Sequence, residues 1–316
     1  MRLGPFEELA QDLAPGDQRA LQEDWSGFTL ERVAGQADAA FAEGFDRLWA
    51  EFGHRGEMER REVIAGRLSW DPARPGEGPA LLYEMALIKR DGVLVAVRDH
   101  TAILARRLDG GFEAEVVVHL SHVLVDPVWR GSGIVAWMRA LPLQAARRCR
   151  AMATGSEEGP VTLVAEMEPD DATAPDVRRR LRSYARACFR VADPAALVYG
   201  QPDFRAPAEI DRTGVQPVPL WLVLRRVGRE EEASMPAADL QSLVSALESM
   251  FAVHVAPRHM EVVRAGNRIV PDASGLVALC EPTALFLSPN VQDSPDPLRA
   301  PAVADQATGP KEKPSA

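Results

Sequence analysis

Residues 116–138 run Val-Val-Val-His-Leu-Ser-His-Val-Leu-Val-Asp-Pro-Val-Trp-Arg-Gly-Ser-Gly-Ile-Val-Ala-Trp-Met. From Glu115 to Val125 this stretch is apolar on both alternating faces apart from His119, Ser121 and His122, the pattern of a central strand covered on both sides. Asp126-Pro127 ends the strand, and Arg130-Gly131-Ser132-Gly133 opens a helix. The first N–H groups of a helix have no intrahelical partner and carry the positive end of its dipole, so such a loop can cradle a phosphate with main chain alone. Glycine permits the close approach. Taken by itself, the same punctuation also reads as a plain strand-to-helix turn.

Working outward, Ala80 to Arg90 and Val93 to Arg107 read as two strands joined by the hairpin signal Asp91-Gly92, and Asp109-Gly110-Gly111 turns the chain into the central strand. Upstream, Phe28 to Val33 alternates like a strand. Ala39, Phe41, Phe45, Leu48 and Trp49 recur at helical spacing within Gln36 to Glu51, Met58 to Leu68 gives a second helix, and Trp70 to Gly78 is a loop. Residues 1–27 are polar and punctuated by Pro and Gly, an N-terminal arm with a short helix over Gly16 to Asp24. Downstream, the helix after Gly133 contains Pro142, which predicts a kink or break near Met138 to Leu141. A strand over Val161 to Glu166, a helix over Ala174 to Cys188, and strands near Ala195 to Tyr199 and Pro219 to Val227 complete a mixed α/β domain over residues 28–228, with a mostly antiparallel central sheet flanked by helices. Residues 229–288 form a C-terminal accessory region. Its main element is an amphipathic helix from Pro236 carrying Leu240, Leu243, Val244, Leu247 and Phe251, suited to packing on its own core or on a second subunit, so a homodimer stays open. Residues 289–316 lack large apolar side chains and read as a disordered tail.

Arg130, Gly131, Ser132, Gly133, Ile134 and Val135 together resemble motif A of the GCN5-related N-acetyltransferases, whose pattern is Arg or Gln, two residues, Gly, one residue, then Gly or Ala. Val135 departs from it, placing a β-branched side chain where the family keeps a bare surface. At the family's expected distance downstream, Leu181-Arg182-Ser183-Tyr184-Ala185-Arg186-Ala187-Cys188-Phe189-Arg190 resembles the helix that ends in Leu-Tyr, three residues, Gly-Phe-Arg, with Cys188 at the glycine position. The resemblance covers residues 28–228. It implies acetyl-CoA as co-substrate, with its pantetheine arm on the backbone of Val123, Leu124 and Val125 and its pyrophosphate on Arg130 to Val135. It also implies that Tyr184 protonates the departing thiolate, and that the acetyl group passes directly to an amine, on a small molecule or a peptide, in a ternary complex. For the base that takes the amine's proton, His119 is the first candidate by its spacing to Arg130, then Glu84, Glu166, Glu168 or water. Strand alternation is expected to send His119 and His122 to opposite faces, so that one of them at most points at a given site. Two other readings stay open. In one, the fold persists as a catalytically weak or inactive binding module, in line with Val135, Cys188 and Pro142; in the other, a longer acyl-CoA or an acyl carrier is the donor.

With 316 residues and 46% hydrophobic content the chain can bury a sizeable core. No run of about 18 apolar residues and no secretory signal are present, which points to a cytoplasmic protein and no membrane partner. Cys149, Cys188 and Cys280 are far apart, odd in number and without a Cys-x-x-Cys pair, so reduced thiols, no disulfide and no metal site are expected. A net charge of −10 argues against sequence-independent binding to nucleic acid. Arg147, Arg148 and Arg150 and the run Arg178-Arg179-Arg180-Leu181-Arg182 are the local basic exceptions. Such runs are mostly solvated helix faces, with contact to a cofactor phosphate or an acidic substrate as the sharper reading.

Overall fold

The computed structural model describes residues 2–107, 109–169 and 175–286. Strands β1 (Phe28–Arg32), β2 (Ala80–Arg90), β3 (Val93–Arg106), β4 (Phe112–Val125), β5 (Val161–Met167), β6 (Arg190–Ala192), β10 (Trp221–Arg226), β11 (Ser234–Pro236) and β13 (Leu276–Cys280) form one sheet, in the order β1-β2-β3-β4-β5-β10-β6-β13-β11. Two short pairs lie outside it, β7 (Leu197–Val198) with β12 (Arg268–Ile269) and β8 (Gly200–Gln201) with β9 (Val218–Pro219). Every pairing in the large sheet is antiparallel except β4 with β5. The β2–β3 hairpin turns on Asp91 and Gly92, whose φ angles of 49° and 78° are those of the tight turn that Asp-Gly favours. The strands read near 195–199 fall to the small pair β7–β12 and to β8 rather than to the main sheet.

Helices α3 (Ile134–Thr154) and α4 (Pro175–Arg186) cover one face of this sheet. The other is covered by α1 (Ala39–Phe52) and α6 (Ala237–Phe251). Three shorter helices are α2 (Arg61–Arg67), α5 (Pro207–Thr213) and α7 (Pro257–Gly266). Helix α1 begins where Asp38 accepts a hydrogen bond from the Ala40 N–H at 3.0 Å, the ordinary device for an orphan donor at a helix start. The apolar stripe of α6 buries Leu243, Leu247, Met250 and Phe251 against Leu81, Ile103, Val117 and Val164, so it packs on the chain's own core. Residues 229–286 also add β11 and β13 to the sheet, so this region continues the main core. No helix among the described residues is long and apolar enough to cross a membrane. The tail expected over residues 289–316 lies outside the described residues.

Two expectations are corrected. Of the kink or break expected at Pro142, the break does not occur: helix α3 continues through it. Proline at 142 removes the N–H that would bond to the carbonyl of Met138, and Arg98 on β3 supplies the replacement: its Nη1 donates to Met138 O at 3.0 Å. Arg98 is 1% exposed, and its Nε and Nη2 have no hydrogen-bond partner. The N-terminal segment is no peripheral arm. Two 3₁₀ helices, Gly4–Asp12 and Pro15–Gln22, and the residues beside them bury Phe6, Leu9, Leu13, Ala20 and Trp25 against Ile134, Trp137, Met138 and Leu141 of α3. Phe6 stacks on Trp137 at 5.0 Å and Trp25 meets it edge-on at 6.0 Å.

Candidate active site

Strand β4 pairs with β5 from Val116↔Val161 to His119↔Val164. Beyond that register β4 is paired with β3 alone, while β5 continues to Met167 against β10. The facing edges of β4 and β5 therefore part at His119.

A β-bulge sits at the same place. Asp99 pairs with His122 and Thr101 with His119, so one residue of β3 stands opposite two of β4, Leu120 and Ser121. The extra residue reverses the alternation. Val118 and Leu120 face α3 before the bulge, and Val123 and Val125 do so after it. His119 and His122 consequently share the opposite face, contrary to the expectation from simple alternation. There His119 meets Phe251 of α6 edge-on at 5.6 Å, and His122 meets Phe52 of α1 at 5.1 Å.

The two histidines have different chemistry. Both ring nitrogens of His122 face acceptors: Nδ1 lies 2.9 Å from Asp99 Oδ1 and Nε2 lies 3.1 Å from the carbonyl of Glu57. Each must donate, so the ring is an imidazolium. Burial opposes this charge, but the Asp99 carboxylate overcomes it and raises the His122 pKa to about 9. Asp99 also accepts from the His122 backbone N–H at 2.8 Å and from the Tyr83 hydroxyl at 2.9 Å. This network ties the 53–58 segment to the sheet.

His119 is 3% exposed and has one acceptor and one hydroxyl. Its Nε2 donates to Glu166 Oε2 at 2.8 Å, and its Nδ1 stands 3.1 Å from Ser121 Oγ. Glu166, on β5 just past the parting, also accepts from the Tyr199 hydroxyl at 2.5 Å and from Gln201 Nε2 at 2.8 Å. Three donors fix the carboxylate, and the carboxylate fixes the ring. Sequence reading had His119 and Glu166 as separate candidates. Their pairing, and the place of Ser121 beside them, depend on the β4–β5 register and the bulge, neither of which leaves a local signal.

Glu84 lies on the α3 face, away from His119. It is committed to Arg148, whose Nε donates to Oε1 at 3.0 Å, and His100 Nε2 stands 3.6 Å from its other oxygen. Burial works against the Glu84 charge, yet His100 and Arg148 hold its pKa down to about 2. The structure thus separates Glu84 from the candidate base. Glu168 is paired with Arg180 by two contacts of 2.8 Å.

Tyr184 is half-buried on α4, edge-on to Phe189 at 4.9 Å. Burial disfavours the charge of Arg98, and the nearby Tyr184 phenol supports it. Cys188 takes φ 62° in the left-handed region, the conformation that suits a glycine, and the Phe189 N–H bonds back to Tyr184 O at 3.0 Å to close the helix.

The loop before α3 has the backbone that the sequence suggested. Gly131 and Gly133 have φ 82° and 92°, and a Cβ at Gly131 would meet nothing within 4 Å, so the main chain there is open to an anion. Ser132 Oγ donates to Trp129 O at 2.7 Å, and Arg130 Nε reaches Val125 O at 3.3 Å. Ile134 is buried and Val135 half-buried in the first turn of α3. Val123 and Val125 pack beneath this turn, while Leu124 faces α1. Arg147 and Arg148 lie elsewhere. They are some 14 residues along α3 from Gly133, about 20 Å of helix rise, and pair with Asp12 and Glu84. Arg178 and Arg182 lie over the Phe286 ring, and Arg179 pairs with Asp176 on the exposed face of α4.

The N-terminal segment occupies the groove between α3 and α4. Asp17 takes two hydrogen bonds from Arg139 of α3, at 2.9 and 2.5 Å, and the same guanidinium donates to Ser183 of α4 at 3.1 Å. Gly16 lies so close to α4 that a Cβ would fall 1.7 Å from the Arg186 carbonyl oxygen. Ala20 and Trp25 border Gly133 at 3.7 Å from where its Cβ would be.

No family model matches the sequence, and no curated protein does. Solved structures do match. Acetyltransferases are among them. One is yncA of Salmonella typhimurium, named as a candidate acetyltransferase and solved with its cofactor acetyl-CoA. It is 19% identical, with 64% of this chain and 94% of that one covered and a TM-score of 0.33. Another, from the same organism, modifies the N-terminal serine of ribosomal protein L7/L12; it is 15% identical over 63% of this chain and 95% of that one, with a TM-score of 0.32. A third is an acetyltransferase of the GNAT family from Streptococcus pneumoniae, 10% identical over 63% and 99% of the two chains, with a TM-score of 0.30.

Proposed function

We propose that this chain is an acetyl-CoA-dependent N-acyltransferase of the GCN5-related type. The observation that carries the reading is the parting of β4 from β5 at His119, with a histidine–glutamate pair at the junction and an open glycine loop at the end of the same strand. An acyl transfer to an amine needs an anion cradle, exposed main-chain donors, a proton acceptor and a proton donor. Gly131 to Val135 would hold the pyrophosphate, and the unpaired edge of Val123 to Val125 the pantetheine arm. His119, oriented by Glu166, takes the acceptor's proton from the α6 side of the sheet, and Tyr184 on the α4 side protonates the thiolate. When bound, the coenzyme supplies the thioester.

The seat of Asp17 between α3 and α4 favours a second reading, in which the fold is kept as a binding module with its cofactor groove filled by its own N-terminus. One experiment separates the two. Purified full-length protein is titrated with CoA in a calorimeter, then incubated with acetyl-CoA and pooled amines while free thiol is measured. Saturable CoA binding together with amine-dependent thiol release is expected. Failure of both would overturn the enzyme and leave the module. Thiol release only from donors with longer acyl chains would assign a different acyl group.

A further inference from the structure

We propose that Ser121 is an activated nucleophile, the first member of a serine–histidine–glutamate relay built by the β4 bulge. Its Oγ lies 3.1 Å from His119 Nδ1, and His119 Nε2 lies 2.8 Å from Glu166 Oε2. A carboxylate only accepts, so in the neutral ring the proton sits on Nε2 and Nδ1 offers its lone pair to the serine hydroxyl. That is the relation of nucleophile, base and orienting group found wherever a hydroxyl is made reactive, recognised by geometry and not by chain order. The orienting group is itself fixed: Tyr199 and Gln201 donate to the same carboxylate, and Phe251 closes on the ring. His119 is 3% exposed and Ser121 is only partly buried, so the hydroxyl is the more accessible end of the relay. It sits where β4 has left β5, beside strand edge without a sheet partner.

The relay suits an acyl thioester or ester. Oγ bonds to the acyl carbon while its proton passes to His119 Nδ1; the acyl–sulfur or acyl–oxygen bond breaks, and the imidazolium returns the proton to the departing group. Water then attacks the acyl-serine and gives its proton to the same nitrogen; the acyl–Oγ bond breaks, the imidazolium returns the proton to Oγ, and a carboxylic acid and the free serine result. Glu166 stabilises the imidazolium in both halves. This hydrolytic route goes beyond direct transfer to an amine and does not require it.

The test uses methanesulfonyl fluoride, a small probe that sulfonylates activated serines with loss of fluoride, on the full-length protein, read by intact mass and peptide mapping. One adduct on Ser121 is expected, absent in Ser121→Ala and slowed on the order of 100-fold in His119→Gln, with thermal unfolding confirming that each variant is folded. An unlabelled Ser121 in folded wild-type protein overturns the proposal. So does labelling that His119→Gln leaves unchanged. Should His119→Gln not fold, Glu166→Gln takes its place, and unchanged labelling there also overturns it. Labelling without CoA binding would leave this site standing while the acetyltransferase reading falls.

Discussion

Arg98 and Pro142 should behave as one unit. Proline deprives Met138 O of its helical donor, and the Arg98 guanidinium takes over that carbonyl in the core. A hydrogen bond from a charged donor contributes about 1.5–3 kcal/mol, and the buried carbonyl left behind would bear its own desolvation cost. Arg98→Met should therefore destabilise the native chain by about 3 kcal/mol, less whatever is recovered by removing a buried cation with two unpartnered nitrogens. In a Pro142→Ala background the backbone N–H regained at position 142 closes the helical bond to Met138 O, so Arg98→Met no longer strands that carbonyl. The burial relief is common to both backgrounds and cancels in the cycle. Urea unfolding of the four proteins, with m-values checked for constancy, should give a coupling energy of about 1.5–3 kcal/mol. Equal costs of Arg98→Met in the two backgrounds, to within about 0.5 kcal/mol, would refute the reasoning.

Because folding raises the His122 pKa to about 9, the native state holds a proton that the unfolded chain releases above its ordinary value near 6.5. Stability from this group is full below that value and is lost as pH rises through 9, up to about 3 kcal/mol; urea unfolding from pH 6 to 10 should show the decline, flattened in His122→Gln. Cys188→Gly relieves a left-handed side chain at about 1–2 kcal/mol and gives back some backbone entropy. Its thermal midpoint should rise by a few degrees, and that of Cys188→Val should fall. Tyr184→Phe should lower kcat on the order of 10² if the phenol protonates the thiolate, with CoA affinity in calorimetry little changed.

The elements with strong local signals were legible. Ala80 to Arg90, the Asp91-Gly92 turn and the strand ending at Val125 stand where alternation and turn chemistry place them, because those signals are confined to neighbours in sequence. What escaped depends on partners distant in the chain. By local rules Pro142 should kink or break a helix, and the partner of the carbonyl it strands, the Arg98 guanidinium, comes from β3, 40 residues away in sequence. The bulge between His119 and His122 is visible only in the register with Asp99 and Thr101, and it decides which side chains share a face. In sequence Glu84 ranks ahead of Glu166 as a base; the sheet places Glu84 beneath α3 and Glu166 beside His119. The N-terminal segment looked peripheral because its apolar residues, Phe6, Leu9, Leu13 and Trp25, are scattered among prolines and charges at no regular spacing.

That segment has a consequence for how the chain is made. Asp17 and Arg139 are 122 residues apart, and Asp12 and Arg147 are 135 apart. At synthesis rates of about 5–20 residues per second, Phe6 and Trp25 leave the ribosome roughly 10 s before the helix that buries them exists. They must wait as exposed aromatics or be shielded by another protein. Asp17 in turn cannot take its seat until both Arg139 of α3 and Ser183 of α4 have been made.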